Sequence, residues 1–218
     1  MKRYRLTALF GGLLLLLLLA ACGSATTPTA TGSIASSGKP MSDMTMATPT
    51  TTQGSDPMTD SLKGLSGKAF EIKFMQEMIV HHQSAVAMAK LVPTHTKRAE
   101  LITLSQNIIT AQNKEITAMT TWLAQWYHDK PLSNPMNVPG MMSMMGDMNK
   151  LKNAKDATFD QQFLTMMISH HQAAVNMANL IPARTQRPEL VQLGQNIVKT
   201  QSAEIQQMQG WERAWFKS

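Results

Sequence analysis

Apolar residues recur at helical spacing in four stretches of the chain, and polar or Pro/Gly-rich segments separate them. Phe70, Phe74, Met78, His81, Ala85, Met88 and Val92 step by three or four positions, which predicts a helix over about residues 70–92 with one apolar face. Pro93 is expected to stop it. After a polar turn, Thr94 to Lys97, a second helix is expected from about Arg98 to Tyr127, with Leu101, Leu104, Ile108, Ala111, Met119, Trp122 and Trp126 as its stripe. Glu115 falls on or beside that stripe, which marks it as a candidate for a role other than packing. Two helices joined by so short a turn must be antiparallel neighbours.

The pattern then repeats without a gap. Phe74-Met75-Gln76-Glu77-Met78-Ile79-Val80-His81-His82-Gln83 returns as Phe163-Leu164-Thr165-Met166-Met167-Ile168-Ser169-His170-His171-Gln172, and Phe163 follows Phe74 by 89 positions. At the same offset Pro182 matches Pro93, Arg187 matches Arg98, Glu204 matches Glu115, and Trp211 and Trp215 match Trp122 and Trp126. Thr158 and Gln161 have the spacing of a capping box for the third helix, and Pro188 suits the first turn of the fourth. The repeats span about residues 70–127 and 159–216.

Neither hairpin can bury its apolar face alone, so the expected fold is all-α, a four-helix bundle of two repeated hairpins over residues 67–218. The connector, residues 128–158, exceeds the usual ~2–8 residues between bundle helices. It is long enough to cross the length of the bundle, so a ferritin-like crossover is the first choice and an up-down-up-down bundle the second. Pro131, Pro135, Pro139, Gly140 and Gly146 argue against a long regular element within it.

The first 66 residues have a different character. Lys2, Arg3 and Arg5 precede an apolar core, Leu6 to Ala20, too short for a comfortable transmembrane helix and typical of an export signal, residues 1–21. It ends in Leu19-Ala20-Ala21-Cys22, which resembles the bacterial lipobox and implies lipid attachment at Cys22. With a single cysteine, the chain has no internal disulfide. Residues 22–66, rich in Thr, Ser, Pro and Gly, read as a disordered tether that also carries Met41, Met44, Met46 and Met58. The reading is of an exported protein held at the cell envelope by a lipid anchor.

Charge narrows the partners. The formal net charge of +6 includes the three basic residues of the export signal; without them 17 basic face 14 acidic residues. No basic run interleaved with aromatics appears, so nucleic acid is not expected as a partner. Nothing in the pattern fixes an oligomeric state.

The chemistry lies in the repeated blocks. Four of the six histidines are there as two adjacent pairs, in a chain with 19 methionines. Met78 stands within one helical turn of His81 and His82, and Met167 stands in the same relation to His170 and His171. Met166 adds a second neighbour for His170, while Met88 and Met177 lie two turns beyond the first histidine of each pair. Helical phase puts His81 and His170 on the core seam and His82 and His171 about 100° round. A face offering imidazole nitrogen beside thioether sulfur suits a soft metal such as Cu(I), with Ag(I) as a companion. Packing alone also places Met and His on such faces, but Met-x-x-His-His-Gln-x-Ala-Val-x-Met-Ala persists in both copies while neighbouring positions diverge. The connector carries Met141, Met142, Met144, Met145 and Met148, expected as weaker thioether sites.

The His-His-Gln-x-Ala-Val-x-Met-Ala blocks, the Glu115, Met119, Trp122, Leu123 pattern and Gly140-Met141-Met142 together resemble the DUF305 family, exported bacterial helical proteins with a ferritin-like fold. The resemblance covers about residues 70–216. It implies His81, His82, His170 and His171, with nearby methionines, as the motif positions, and copper binding or copper resistance as the activity of some members. Val80 and Ser169 stand where the family commonly has Glu before His-His, which weakens a carboxylate-assisted role. The expected function is therefore non-enzymatic copper buffering, transfer or resistance, with a copper exporter or an oxidase as the protein partner and no organic cofactor. Two alternatives stand beside it. One is a ferritin-like di-iron or copper oxidase, for which paired carboxylates are lacking. The other is an envelope interaction protein whose His-His blocks only pack.

Overall fold

A computed structural model describes residues 56–216, and every described regular element is helical. The export signal, Cys22, Met41, Met44 and Met46 lie outside the described residues. The helices are α1 (Pro57–Leu62), α2 (Gly67–Ala89), α3 (Val92–His95), α4 (Ala99–Tyr127), α5 (Met141–Asn153), α6 (Asp156–Ala178), α7 (Ile181–Arg184) and α8 (Pro188–Phe216), with a 3-10 turn at Pro135–Asn137. No described helix is long and apolar enough to cross a membrane.

The four long helices are α2, α4, α6 and α8, and α2 pairs with α4 as α6 pairs with α8. Two core clusters set the relation between the hairpins. One joins Phe70, Phe74 and Met78 of α2 and Met119 and Leu123 of α4 to Met177 of α6 and Leu190 and Ile197 of α8. The other joins Met88 of α2 and Leu101 and Ile108 of α4 to Phe159, Phe163 and Met167 of α6 and Met208 of α8. The start of α2 thus lies beside the end of α6, and the two run antiparallel. Since α4 ends where α2 begins and α6 begins where α2 ends, the connector runs the length of the bundle. The topology is the ferritin-like crossover.

Polar pairs obey the same approximate two-fold symmetry. Arg98 Nε donates to Asp160 Oδ2 at 2.8 Å, and Arg187 Nε donates to Glu71 Oε2 at 2.8 Å. The Arg98 guanidinium lies 4.2 Å from the Trp215 ring centroid, and that of Arg187 lies 4.1 Å from Trp126. Trp122 stacks on Trp126, as Trp211 stacks on Trp215, both at 7° between planes. One symmetric member is elaborated. Glu71, buried, also accepts from Thr185 Oγ1 and Tyr127 Oη, whereas Phe216 stands at the position equivalent to Tyr127.

Four expectations are corrected. Pro93 does not end the first long helix: α2 stops at Ala89, and Pro93 sits in the first turn of α3, where its missing N–H costs little. Thr158 and Gln161 form no capping box, because α6 starts at Asp156 with no side-chain cap bond. Within the segment read as tether, residues 57–62 are helical, with the Asp56 side chain accepting from the Met58 backbone N–H and with Met58 and Leu62 buried. The connector contains the 13-residue α5, whose Met141 and Leu151 are buried. Its start depends on Gly140, whose φ of 81° is open to glycine and strained for other residues.

Candidate metal centre

The first histidines of the two pairs meet where α2 packs on α6. The rings of His81 and His170 lie 3.6 Å apart between centroids, tilted by 33°. Both side chains are buried. Helical phase on two antiparallel, symmetry-related helices suffices to bring them together, because each lies on its core seam.

Beside them is a cavity of about 450 Å³, walled by Met88 of α2, Met166 and Ser169 of α6, Met58 of α1 and Met144 and Asp147 of α5. The crossing connector therefore forms one wall and the short α1 another. Two histidines and four methionines thus line one space.

Hydrogen bonding around the imidazoles is incomplete. Neither nitrogen of His81 makes a well-formed hydrogen bond within the protein or is open to solvent, and the same holds for His170 Nδ1; the backbone of each histidine lies close enough to the other's ring to favour its protonated form, but burial outweighs this. His170 Nε2 lies 2.7 Å from Ser84 Oγ. A buried polar atom without a partner costs about 1–3 kcal/mol, so the fold sustains these groups against its own stability. Burial pushes the pKa of His81 well below the ordinary 6.5, and the nearby His82 and His171 add to the effect. His170 is lowered in the same way by burial and then by His81, His171 and His82. Both rings are consequently neutral near pH 7, and each keeps a nitrogen lone pair. Neutral imidazole beside thioether is the donor set that suits a soft monovalent metal, so the residues present fit copper or silver.

The second histidines point elsewhere. His82 Nε2 lies 2.7 Å from Glu115 Oε2, and His171 Nε2 lies 2.7 Å from Glu204 Oε2. Glu115, singled out by its position beside an apolar stripe, thus orients His82 from within its own hairpin. Among the described residues no three His, Cys, Asp or Glu side chains converge as a metal-binding group. A carboxylate-rich di-iron centre needs such a convergence.

The methionines divide three ways. Met58, Met88, Met144 and Met166 line the cavity, with Met58 and Met88 also buried in the first and second core clusters. Met78 and Met177 are buried in the first core cluster and Met167 in the second, where they serve packing. On α5, Met141 is buried in the first cluster and Met148 packs against the second, while Met142 and Met145 are 76% and 50% exposed. The connector methionines are therefore not equivalent to one another. Sequence reasoning missed Met58 and Ser84 as neighbours of the site. The only signal for Ser84 was asymmetry, since the second copy has Ala173 there.

The family model described as "Domain of unknown function (DUF305)" matches residues 19–92 and 71–212. No curated protein matches the chain. Among solved structures, CopM in the Cu(I)-bound form is 36% identical, with 67% of this chain and 97% of that chain covered and a TM-score of 0.58. CopM in the Ag-bound form obtained by soaking is 37% identical, with 67% and 96% covered and a TM-score of 0.57. A DUF305 fragment from Deinococcus radiodurans is 26% identical, with 67% and 96% covered and a TM-score of 0.58. With the duplicated His-His blocks and the crossover bundle, these matches establish that the chain belongs to the DUF305 family.

Proposed function

We propose that this protein is an exported, lipid-anchored envelope protein that binds Cu(I), and Ag(I) by the same chemistry, for copper buffering, transfer or resistance. The observation that carries the reading is the pair of buried imidazoles, His81 and His170, with unpartnered nitrogens beside the thioethers of Met88, Met144 and Met166 in one cavity. Support also comes from CopM, whose structures include Cu(I)-bound, Cu(II)-bound and Ag-bound forms. In this reading His81 and His170 supply nitrogen and the cavity methionines supply sulfur. His82 and His171, each held by a carboxylate, support the site from behind. Met142 and Met145, exposed on α5, serve as weaker capture sites from which metal passes inward or on to a copper exporter or oxidase.

The test is metal content after expression in copper-supplemented medium, followed by anaerobic Cu(I) competition titration. The wild type should carry copper in whole-number ratio. A His81→Leu/His170→Leu variant with an unchanged helical spectrum should lose the tightest site. A wild type that takes up no copper, or a variant that keeps its tightest site, overturns the reading.

A further inference from the structure

The approximate two-fold symmetry of the site is broken at one hydroxyl. Ser84 of α2 lies one turn after His81, and its counterpart on α6 is Ala173. The Ser84 Oγ has three close neighbours: the His81 carbonyl oxygen at 2.8 Å, the Met144 Sδ at 2.8 Å and the His170 Nε2 at 2.7 Å. A hydroxyl carries one proton. The carbonyl and the thioether can only accept, so the one Ser84 proton satisfies one of these two short contacts and leaves a single lone-pair contact at the other. If the proton pointed at His170 instead, two lone-pair contacts at 2.8 Å would stand with no hydrogen between them. The imidazole is the only neighbour able to donate.

We infer that Ser84 is a positioning residue that holds His170 in the Nε2–H tautomer, so that Nδ1 is the nitrogen presented to the metal. This deepens the copper reading and rests on it only for the identity of the ligand. His170 Nδ1 is the buried nitrogen of that ring without a well-formed hydrogen bond. In a neutral imidazole the nitrogen opposite the N–H bears the lone pair, and the partner of the one decides the role of the other. Because Ser84 also touches Met144, one hydroxyl sets the tautomer on α6 and ties the crossing helix to the same spot. His81 has no such partner, since Ala173 offers no oxygen, and its tautomer is not fixed in this way. The two halves of a duplicated site thus present their imidazoles differently.

The experiment reads the tautomer first, in the metal-free protein, by nitrogen-15 NMR of the imidazole rings. His170 should be protonated on Nε2 in the wild type, should lose that fixed tautomer in Ser84→Ala, and should regain it in Ser84→Thr, which keeps the hydroxyl. Cu(I) affinity should fall about 10–100-fold in Ser84→Ala, the range seen when a supporting partner of a metal ligand is lost, and should recover in Ser84→Thr. Alanine suits a helix interior, so Ser84→Ala should fold; near-wild-type far-UV spectra make the comparison valid. Protonation of His170 on Nδ1 in the wild type overturns the inference, as does a Ser84→Ala spectrum identical to it. A wild type that binds no Cu(I) sinks the functional reading, while the metal-free spectrum still decides the tautomer.

Discussion

Replacing His81 by leucine should make the metal-free protein more stable while removing its tightest metal site. The neutral His81 ring presents one donor and one acceptor, both buried and neither in a well-formed hydrogen bond. Each such group costs about 1–3 kcal/mol, and an apolar side chain removes that penalty. Against this stand the lost contact with the His170 ring, 3.6 Å away, and the imperfect fit of a branched side chain. The net expectation is a gain of about 1–3 kcal/mol. For a domain of this size that is roughly 2–12 °C in Tm. His82→Leu is the control and should move the other way. It strips Glu115 of a 2.7 Å partner in a site where that side chain is 16% exposed. The assay is urea unfolding of both variants and the wild type under chelator, followed by circular dichroism, with Cu(I) titration in parallel. A His81→Leu variant less stable than the wild type by 1 kcal/mol or more would show that His81 is a satisfied core residue, and the argument from unpartnered nitrogens would fall.

Three further outcomes follow from the geometry. Met144→Leu should weaken the tightest Cu(I) site by about 10–100-fold, whereas Met142→Leu/Met145→Leu should leave it unchanged, because of these three only Met144 lines the cavity; competition titration with both variants decides, and equal effects would refute the assignment. Burial opposes ionisation of Glu71, but hydrogen bonds from Thr185, Tyr127 and Arg187 outweigh it and hold its pKa below 4.5. The stabilisation from that group is therefore complete above about pH 4.5 and lost as pH falls through the lower folded value; in Glu71→Gln this acid-side loss should disappear, and an unchanged pH–stability profile would count against it. Cys22→Ala should abolish lipid labelling and release the protein from membranes, and membrane retention equal to wild type after a carbonate wash would remove the case for an anchor.

Much of this fold was legible because it is written twice. A repeat offset, four long amphipathic stripes and a connector too long for a tight turn led to a crossover bundle, and helical phase put His81 and His170 on the seam where they meet. What escaped depends on short elements or on packing between distant segments. Helix α1 has six residues, too few to show periodicity, and its two anchors Met58 and Leu62 are one turn apart. So short a helix is stabilised by packing rather than by propensity. In α5, glycines read as breakers occupy a start and an interior position: Gly140 supplies the left-handed residue before the first turn, and Gly146 lies within the helix. That Met144 faces inward while Met142 and Met145 face out follows only once the connector is known to cross the α2–α6 seam. Ser84 shows the same limit, since its three contacts join residues of α2, α5 and α6.

The distribution of symmetric and asymmetric positions carries one more step. Where the copies agree, the shared residues hold the bundle. Arg98 with Asp160 matches Arg187 with Glu71, and His82 with Glu115 matches His171 with Glu204. Several departures from symmetry gather around the cavity. Glu77, buried and accepting from Ser61 of α1 at 2.7 Å, is replaced in the second copy by Met166, which lines the cavity. Val80 is replaced by Ser169 and Ser84 by Ala173, and both second-copy residues line the cavity. The two segments that wall the cavity from outside the repeats, α1 and α5, are single and have no symmetry mates. One copy thus binds α1 through its carboxylate while the other places a methionine in the cavity wall. Two equivalent faces would build a cavity with two identical halves; this division gives it a distinct wall on each side, so the histidine pairs are shared by both copies while Glu77, Val80 and Ser84 are not.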